Sequence, residues 1–495
     1  MNSNYVLLVA SFFYFMLPVQ SITGQDQKPN IIFILTDDQA PWALGASGDP
    51  NASTPNMDRL AHNGAYFKNA FITTPVCSPS RASIMTSRYA SEYGILDFIP
   101  DPNHRLYNPD YNPGLDPESI TFAEVLQKAG YKTGLVGKWH LGDWMLTDAK
   151  KFHPTNHGFD YFMGLTGGGT TPDDPELEKN GKVRKFQGLT TDILTDYAMQ
   201  FIKSNADKSF LLCLNTRAPH GRWLPVAKED WVPFENMDPY LPNPDYPDLD
   251  VEMVKRQMRE YLASTRGVDR NLDRIIALCD ELGLTDHTII IFFSDHGYNM
   301  GHNGIKHKGN GIWMTKHLPE DTENILGKYR PNMYDNSLKV PAFVYWSGVI
   351  KPGTVIHHTI TSLDLYPTIV EMAGAELPDD HIVRGRSFVP LLKGEEIENW
   401  DDNFYGEYSM INYCDAFMRC YRTSEWKLVR DFLNPERDEL YNIAYDPQEN
   451  INLIHDPREE IQQVIENLHL KILQHMEDIN DPLLDEIEVD KEYYK

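Results

Sequence analysis

Pro29-Asn30-Ile31-Ile32-Phe33-Ile34-Leu35-Thr36-Asp37-Asp38 is a short apolar run that ends abruptly in two carboxylates. A strand with one wet face alternates polar and apolar residues. This run does not, so it reads as a strand covered on both faces. Thr133-Gly134-Leu135-Val136-Gly137, Ser209-Phe210-Leu211-Leu212-Cys213-Leu214-Asn215, Thr288-Ile289-Ile290-Ile291-Phe292-Phe293 and Val340-Pro341-Ala342-Phe343-Val344-Tyr345-Trp346 have the same character. Helical signals separate them. Thr54-Pro55 and Gly64 bound a helix over 54–64, and Thr121-Phe122-Ala123-Glu124 is a capping box that opens one ending near Ala129-Gly130. Further helices are predicted over 191–204, 251–282 and 362–372.

Alternating strands and helices predict an α/β fold, a large and mostly parallel central sheet flanked by helices over 25–377. From about Pro378 the character changes. A β-like segment over 421–430 and a helix over 458–476 predict a smaller C-terminal α+β subdomain over 378–495. Two stretches, 219–250 and 301–331, lack periodicity and read as long binding or lid loops. Ligands of such sheets bind beyond the carboxyl ends of the strands. Asp37-Asp38, Lys138 with His140, His220 and Asp295-His296 all fall there. The paired acids suit a hard divalent cation.

The 495 residues are 41% hydrophobic and 24% charged, with a net charge of −27, which predicts no affinity for nucleic acid. Residues 6–19 are apolar but too short to span a bilayer, and 1–24 read as a signal peptide of an exported protein, periplasmic or secreted. No other segment is long and apolar enough to cross a membrane, so no stable membrane association is expected. Five cysteines leave at least one unpaired in an exported chain. Cys213 and Cys279 read as buried and inert, while Cys414 and Cys420 are close enough in sequence to bridge a hairpin. Cys77 stands in Thr74-Pro75-Val76-Cys77-Ser78-Pro79-Ser80-Arg81, with Pro79 as a helix starter and Arg81 a fixed cation one turn away. A nucleophile at a helix N-terminus beside an arginine is placed to stabilise anionic chemistry.

Cys77-Ser78-Pro79-Ser80-Arg81 resembles the Cys-x-Pro-x-Arg signature of the type I sulfatases, which share the alkaline-phosphatase-like fold. Gly137-Lys138-Trp139-His140-Leu141-Gly142 matches the family's Gly-Lys-x-His-x-Gly, and Ser294-Asp295-His296-Gly297 its Ser-Asp-x-Gly. Gly304–Asn310, Asn332–Pro341 and Asp438–Asn450 resemble its later segments, so the similarity covers nearly the whole mature chain. The resemblance implies that Cys77 is oxidised to formylglycine by a formylglycine-generating enzyme, and that its hydrate is the nucleophile. It also implies one divalent ion bound by Asp37, Asp38, Asp295 and His296, with the modified Cys77 completing the shell. Calcium is the expected ion; the nitrogen donor of His296 keeps magnesium as a rival. Arg81, Lys138 and Lys308 would neutralise the sulfate, with Lys306 and Lys316 as rivals of Lys308. His140 would assist sulfate elimination and His220 would protonate the leaving alcohol.

Two departures stand out: Thr86-Ser87 replaces the family's usual Thr-Gly, and 311–331 reads as an insertion that shapes the pocket. The expected substrate is a sulfated carbohydrate, polysaccharide or oligosaccharide, with an algal polymer such as ulvan one candidate. Trp223, Trp231, Tyr240 and Trp313 are candidate sugar platforms. The alternatives are a phosphoester or phosphonate hydrolase of the same superfamily, and a non-catalytic glycan-binding pseudo-sulfatase. The complete set of histidines, lysines and metal ligands argues against the second.

Overall fold

The computed structural model describes residues 28–108, 113–145 and 149–487. The signal-peptide reading of 1–24 lies outside the described residues, as does the end of the acidic tail. Among the described residues, fourteen strands precede the C-terminal region. In chain order they are β1 (Asn30–Thr36), β2 (Ala65–Phe71), β3 (Lys132–Gly137), β4 (Tyr161–Gly164), β5 (Glu176–Lys179), β6 (Lys182–Lys185), β7 (Phe210–Asn215) and β8 (Thr288–Ser294). They continue with β9 (Asn299–Met300), β10 (Ile305–His307), β11 (Asn310–Trp313), β12 (Tyr329–Pro331), β13 (Phe343–Trp346) and β14 (Thr354–Thr361). Ten form one sheet in the order β14-β2-β13-β8-β1-β7-β3-β4-β5-β6. Only β13 and β5 run against the common direction.

Strand β1 lies at the centre, Phe33 opposite Ile291 of β8 and Cys213 of β7. Every β1 residue is buried. Ile31, Phe33 and Leu35 enter a core with Ile84, Phe122, Leu126 and Ile369. Ile32 and Ile34 enter the opposite core with Leu60, Leu194, Ala198, Val268 and Leu272. Two apolar cores, one per face, are why the run has no polar alternation. The longer helices before the C-terminal region are Pro55–Asn63, Cys77–Thr86, Phe122–Lys128, Thr190–Ser204, Val251–Glu281 and Leu365–Met372, and all but the second fall close to the expected spans. Gly64 ends its helix for a reason other than a left-handed cap: a Cβ there would meet the Val344 carbonyl oxygen at 2.1 Å.

The stretch 301–331 is not a plain loop. It contains β10, β11 and β12, which with β9 form a small antiparallel sheet beside the ends of the main strands. Strands of three or four residues are too short to show a period. The region 421–430 holds the end of one strand and most of another: β15 (Phe404–Met410), β16 (Ala416–Arg422), β17 (Trp426–Asp431) and β18 (Glu439–Asn442) make a second antiparallel sheet. One face of it joins the main core through Phe404, Met410, Met418 and Val429. The other carries Leu428 and Leu440 against Ile465, Leu468 and Ile472 of the Glu459–Ile479 helix.

Arg419 of β16 pairs with Asp481 at 2.6 and 2.9 Å, both groups wholly buried. Asp481→Ala would strand a buried guanidinium, and we expect a loss of about 3–5 kcal/mol in denaturant unfolding. A loss under 1 kcal/mol would show that water reaches Arg419. No disulfide forms: all five cysteines are free, Cys414 and Cys420 included.

Candidate active site

Four adjacent strands, β8, β1, β7 and β3, deliver their carboxyl ends to one place. Asp37 and Asp38 follow β1, Lys138 and His140 follow β3, His220 follows β7, and Asp295 and His296 follow β8. Gly137 makes the β3 exit feasible: its φ is 115°, and a Cβ would stand 1.8 Å from the Asn215 carbonyl oxygen. Asp38 takes the left-handed region at φ 71°. Tyr261, from the Val251–Glu281 helix, fixes that turn by donating to the Asp38 carbonyl at 2.7 Å and accepting from Ala40 N–H at 2.8 Å.

Cys77 is the first residue of its helix, so Pro79 sits inside the first turn rather than opening it. Arg81 does not face the cavity. It is 1% exposed, donates through Nε and Nη2 to Asp295 Oδ2 at 3.0 and 2.8 Å, and through Nη1 to the Lys138 carbonyl at 2.9 Å. It is a strut between two strand ends and brings positive charge without direct contact with the cavity. The helix ends in a left-handed turn at Ser87, φ 57°, so Thr-Ser keeps the turn expected of Thr-Gly. The Ser87 hydroxyl donates to the Leu363 carbonyl and accepts from Gly385 N–H.

Lys138 Nζ lies 2.7 Å from Asp37 Oδ2. Lys308 Nζ lies 2.7 Å from Asp38 Oδ1, 3.0 Å from Cys77 Sγ and 3.0 Å from His296 Nε2. Its rivals are elsewhere: Lys306 donates to Gln257, and Lys316 is exposed. Burial works against ionisation of Asp37, but Lys138, His220 and Arg81 outweigh it and hold the carboxyl well below its usual range. Burial likewise opposes a Cys77 thiolate, yet Lys138, Lys308, His140 and His296 bring the thiol far below normal. Burial alone governs Cys213 and pushes its thiol up. His140 Nε2 faces the Ile99 carbonyl at 2.8 Å, which leaves Nδ1 as a buried nitrogen without a partner. His220 Nδ1 faces the Gly221 carbonyl at 2.9 Å; burial lowers its pKa and Asp37 and Asp38 partly restore it.

The donor set fits a hard divalent cation. Ligand atoms of Asp37, Cys77, Asp295 and His296 lie within 4.8 Å of one another, as do those of Asp37, Asp38 and His220. Asp37 Oδ1 is buried with no hydrogen-bond partner. His296 turns Nδ1 to the Gly297 carbonyl at 3.0 Å, so in its neutral form the Nε2 lone pair points at Asp38 and Asp295, 3.1 and 3.2 Å away. Buried carboxylates of this density need a cation, and oxygen donors suit calcium or magnesium.

Several neighbours carried no sequence signal. Arg217 is buried near Asp37 and Asp38, donates to the Thr170 carbonyl, and burial pushes its pKa down to about 10. The cavity above Cys77, about 280 Å³, is walled by Phe98, Asp101, His104, His307, Asn310 and Tyr413. Trp223, Trp231, Tyr240 and Trp313 do not line it. Trp223 packs edge-on to Tyr261, and Trp313 lies by Tyr246. The stretch 311–331 supports the wall instead, for Tyr329 stacks on Tyr413 at 5.1 Å.

Asp97 holds that wall together, accepting from Phe98, Ile411 and Asn412 N–H groups at 2.8 to 3.1 Å. Burial lifts its pKa from 3.8 to about 6 despite those donors. An acid raised on folding stabilises the native state at low pH and loses that contribution as pH rises from 3.8 to about 6. Asp97→Asn removes this term. Its unfolding free energy should therefore gain on wild type across the window by up to about 3 kcal/mol, readable in denaturant titrations. Parallel curves would mean that Asp97 titrates normally.

Three carboxylates, an imidazole and buried cations around a reactive residue at a helix N-terminus make a site that could hold a metal ion and act on an anionic ester, the site of a sulfuric ester hydrolase. The chain belongs to the sulfatase family: the Sulfatase family model matches residues 29–375. A second model, N-sulphoglucosamine sulphohydrolase C-terminal, matches 329–478. An N-acetylglucosamine-6-O-sulfatase of Bacteroides thetaiotaomicron is 26% identical, over 87% of this chain and 83% of its own. An ulvan-active sulfatase of Formosa agariphila is 28% identical, over 90% and 81%. A structure solved with its substrate D-glucosamine-2-N,6-O-disulfate superposes with a TM-score of 0.75 at 24% identity, over 92% of this chain and 99% of that one.

Proposed function

We propose that this protein is an exported sulfatase that removes sulfate from a sulfated polysaccharide or oligosaccharide, using a formylglycine made from Cys77 and one divalent cation, calcium. The observation that carries the reading is the crowding of Cys77 by Lys308, Asp38 and His296 within about one hydrogen-bond length of a single ammonium. A structural cysteine would not need such company. The carbohydrate substrate is supported by relatives whose names specify N-acetylglucosamine 6-O-sulfate and ulvan, which keeps an algal polymer among the candidates. Export is supported by the apolar run 6–19. A formylglycine-generating enzyme is then a required partner.

The roles follow from position. Asp37, Asp38, Asp295 and His296, with residue 77, would hold the cation, which lowers the pKa of an oxygen nucleophile and offsets sulfate charge. The hydrated aldehyde at position 77 supplies that nucleophile. Lys138 and Lys308 place two ammonium groups where sulfate charge accumulates. Arg81 orients Asp295 and works against the burial and the Asp37 charge that favour its protonated form. His220, beside the Asp37–Asp38 turn, protonates the departing sugar oxygen. His140 accepts the proton of the remaining hydroxyl at position 77 through Nδ1, while the Ile99 carbonyl holds its other nitrogen. Sulfate then departs and the aldehyde returns.

Matured enzyme should cleave 4-nitrophenyl sulfate at least about a hundredfold faster than 4-nitrophenyl phosphate, and should release sulfate from sulfated oligosaccharides. Faster phosphate cleavage would favour the phosphoester alternative. No turnover, with intact binding of sulfated glycans, would favour the pseudo-sulfatase.

A further inference from the structure

The cavity above residue 77 has two ends of different chemistry. The inner end, with Cys77, His140, His220 and Lys308, is accounted for by the sulfate group and its reaction. The outer end has no assigned role, and its charge is one-sided. Asp101 is its carboxylate, while His104, His307, Asn310, Phe98 and Tyr413 supply imidazoles, an amide and aromatic rings. No lysine or arginine lines this outer end among the described residues; Arg105 lies behind it, over the Tyr413 ring at 5.8 Å.

Asp101 is held in place rather than drifting on a loop. Its Oδ1 accepts Gly168 N–H at 3.0 Å, and its carboxylate enters no ion pair among the described residues. Two glycines of the run that faces it, Gly167 and Gly168, have no space for side chains. A Cβ at Gly167 would stand 1.6 Å from Asp101 Oδ1, and one at Gly168 would stand 2.5 Å from His140 Nε2. The fold thus brings a carboxylate with no ion-pair partner among the described residues to the same wall as the catalytic imidazole. His307 is also built into position: its backbone lies in the left-handed region at φ 77°, unusual for a residue with a side chain, and its carbonyl accepts from Asn299 at 2.9 Å. Burial, with Lys308 and Lys306 nearby, holds its imidazole neutral with a pKa of about 3, so it offers one donor and one acceptor and no charge.

A sugar seated on its sulfate would turn its ring substituents toward this wall. Hydroxyls and amines can donate to Asp101 and exchange hydrogen bonds with His307 and Asn310. A ring carboxylate would face Asp101 directly, while Arg105 lies over the Tyr413 ring, 5.8 Å from its centroid, and Lys308 is engaged by the sulfate at the inner end, inside a chain of net charge −27. We infer that the outer wall, with Asp101 as its specificity-determining residue, selects sulfate esters whose sulfated ring carries no carboxylate: neutral or aminated sugars over uronates. The inference rests on the sulfatase reading above and adds the substrate class.

Aryl sulfates matched in shape isolate the charge. The probes are 4-carbamoylphenyl sulfate and 4-carboxyphenyl sulfate, with 4-nitrophenyl sulfate reporting whether the matured protein is a sulfatase at all. Wild type should favour the carbamoyl ester over the carboxylate at least about tenfold in kcat/KM, the effect of one like charge at a partly solvated contact. Asp101→Asn keeps an oxygen for Gly168 N–H and removes the charge. It should narrow that ratio by about tenfold, and because the readout is a ratio, partial loss of folded enzyme does not obscure it. Glucosamine 6-sulfate should lose kcat/KM in the same variant relative to 4-nitrophenyl sulfate. Equal use of both aryl esters by wild type, or an unchanged ratio in Asp101→Asn, overturns the inference and leaves the sulfatase reading intact. Failure on 4-nitrophenyl sulfate overturns both.

Discussion

Cys77→Ala, expressed beside a formylglycine-generating enzyme, is expected to lose at least about 10⁴-fold in kcat on 4-nitrophenyl sulfate and on sulfated oligosaccharides. The reason is positional. Residue 77 is the first of its helix, touches Lys308 and neighbours Asp37, Asp295 and His296. No other described side chain that could serve as a nucleophile has that combination of helix end, cations and carboxylates. Alanine removes the one group that can become an aldehyde and disturbs little else, since residue 77 is buried and its shape changes by one atom. The thermal transition should stay near that of the wild type. A variant that keeps a tenth or more of wild-type turnover would move the nucleophile elsewhere.

His220→Ala should separate substrates by leaving group. A sugar alkoxide needs a proton to depart, and a positioned acid supplies about 10²–10⁴-fold. A nitrophenolate departs without one. We therefore expect kcat/KM on a sugar sulfate to fall by about that factor while 4-nitrophenyl sulfate loses less than about tenfold. An equal loss on both esters would show that His220 binds sulfate rather than protonating the alcohol. His140→Ala should instead slow both, because elimination at residue 77 is common to both reactions.

What the sequence made legible depended on where each residue sits relative to a run of apolar neighbours. Asp37-Asp38 and Asp295-His296 stand out because each breaks a doubly buried strand, and those two strands are adjacent and in register. Lys138 and His140 follow β3 for the same reason. Strand β2 was hidden because Lys68 and Asn69 interrupt it where its side chains reach solvent. Strand β6, Lys182-Val183-Arg184-Lys185, is wholly exposed and ends the sheet with charge, as edges do. Arg81 was visible as a cation, but its partner was not: no spacing rule places its guanidinium on Asp295 instead of on substrate. Asp101 and Tyr413 reach the cavity from two separate loops and His307 from the end of β10, and only tertiary packing gathers them. Tryptophan content was a poor guide to the sugar site, because Trp223 and Trp313 are taken up by other aromatic rings.

In the proposed reaction Cys77 works only after it stops being a cysteine, and peptide mass spectrometry of the mature protein reads that change. The peptide containing residue 77, from active enzyme, should be lighter by the exchange of a thiol for an aldehyde oxygen, and activity should track the fraction converted. Fully active enzyme whose residue 77 is an unmodified, alkylatable thiol would contradict that reaction.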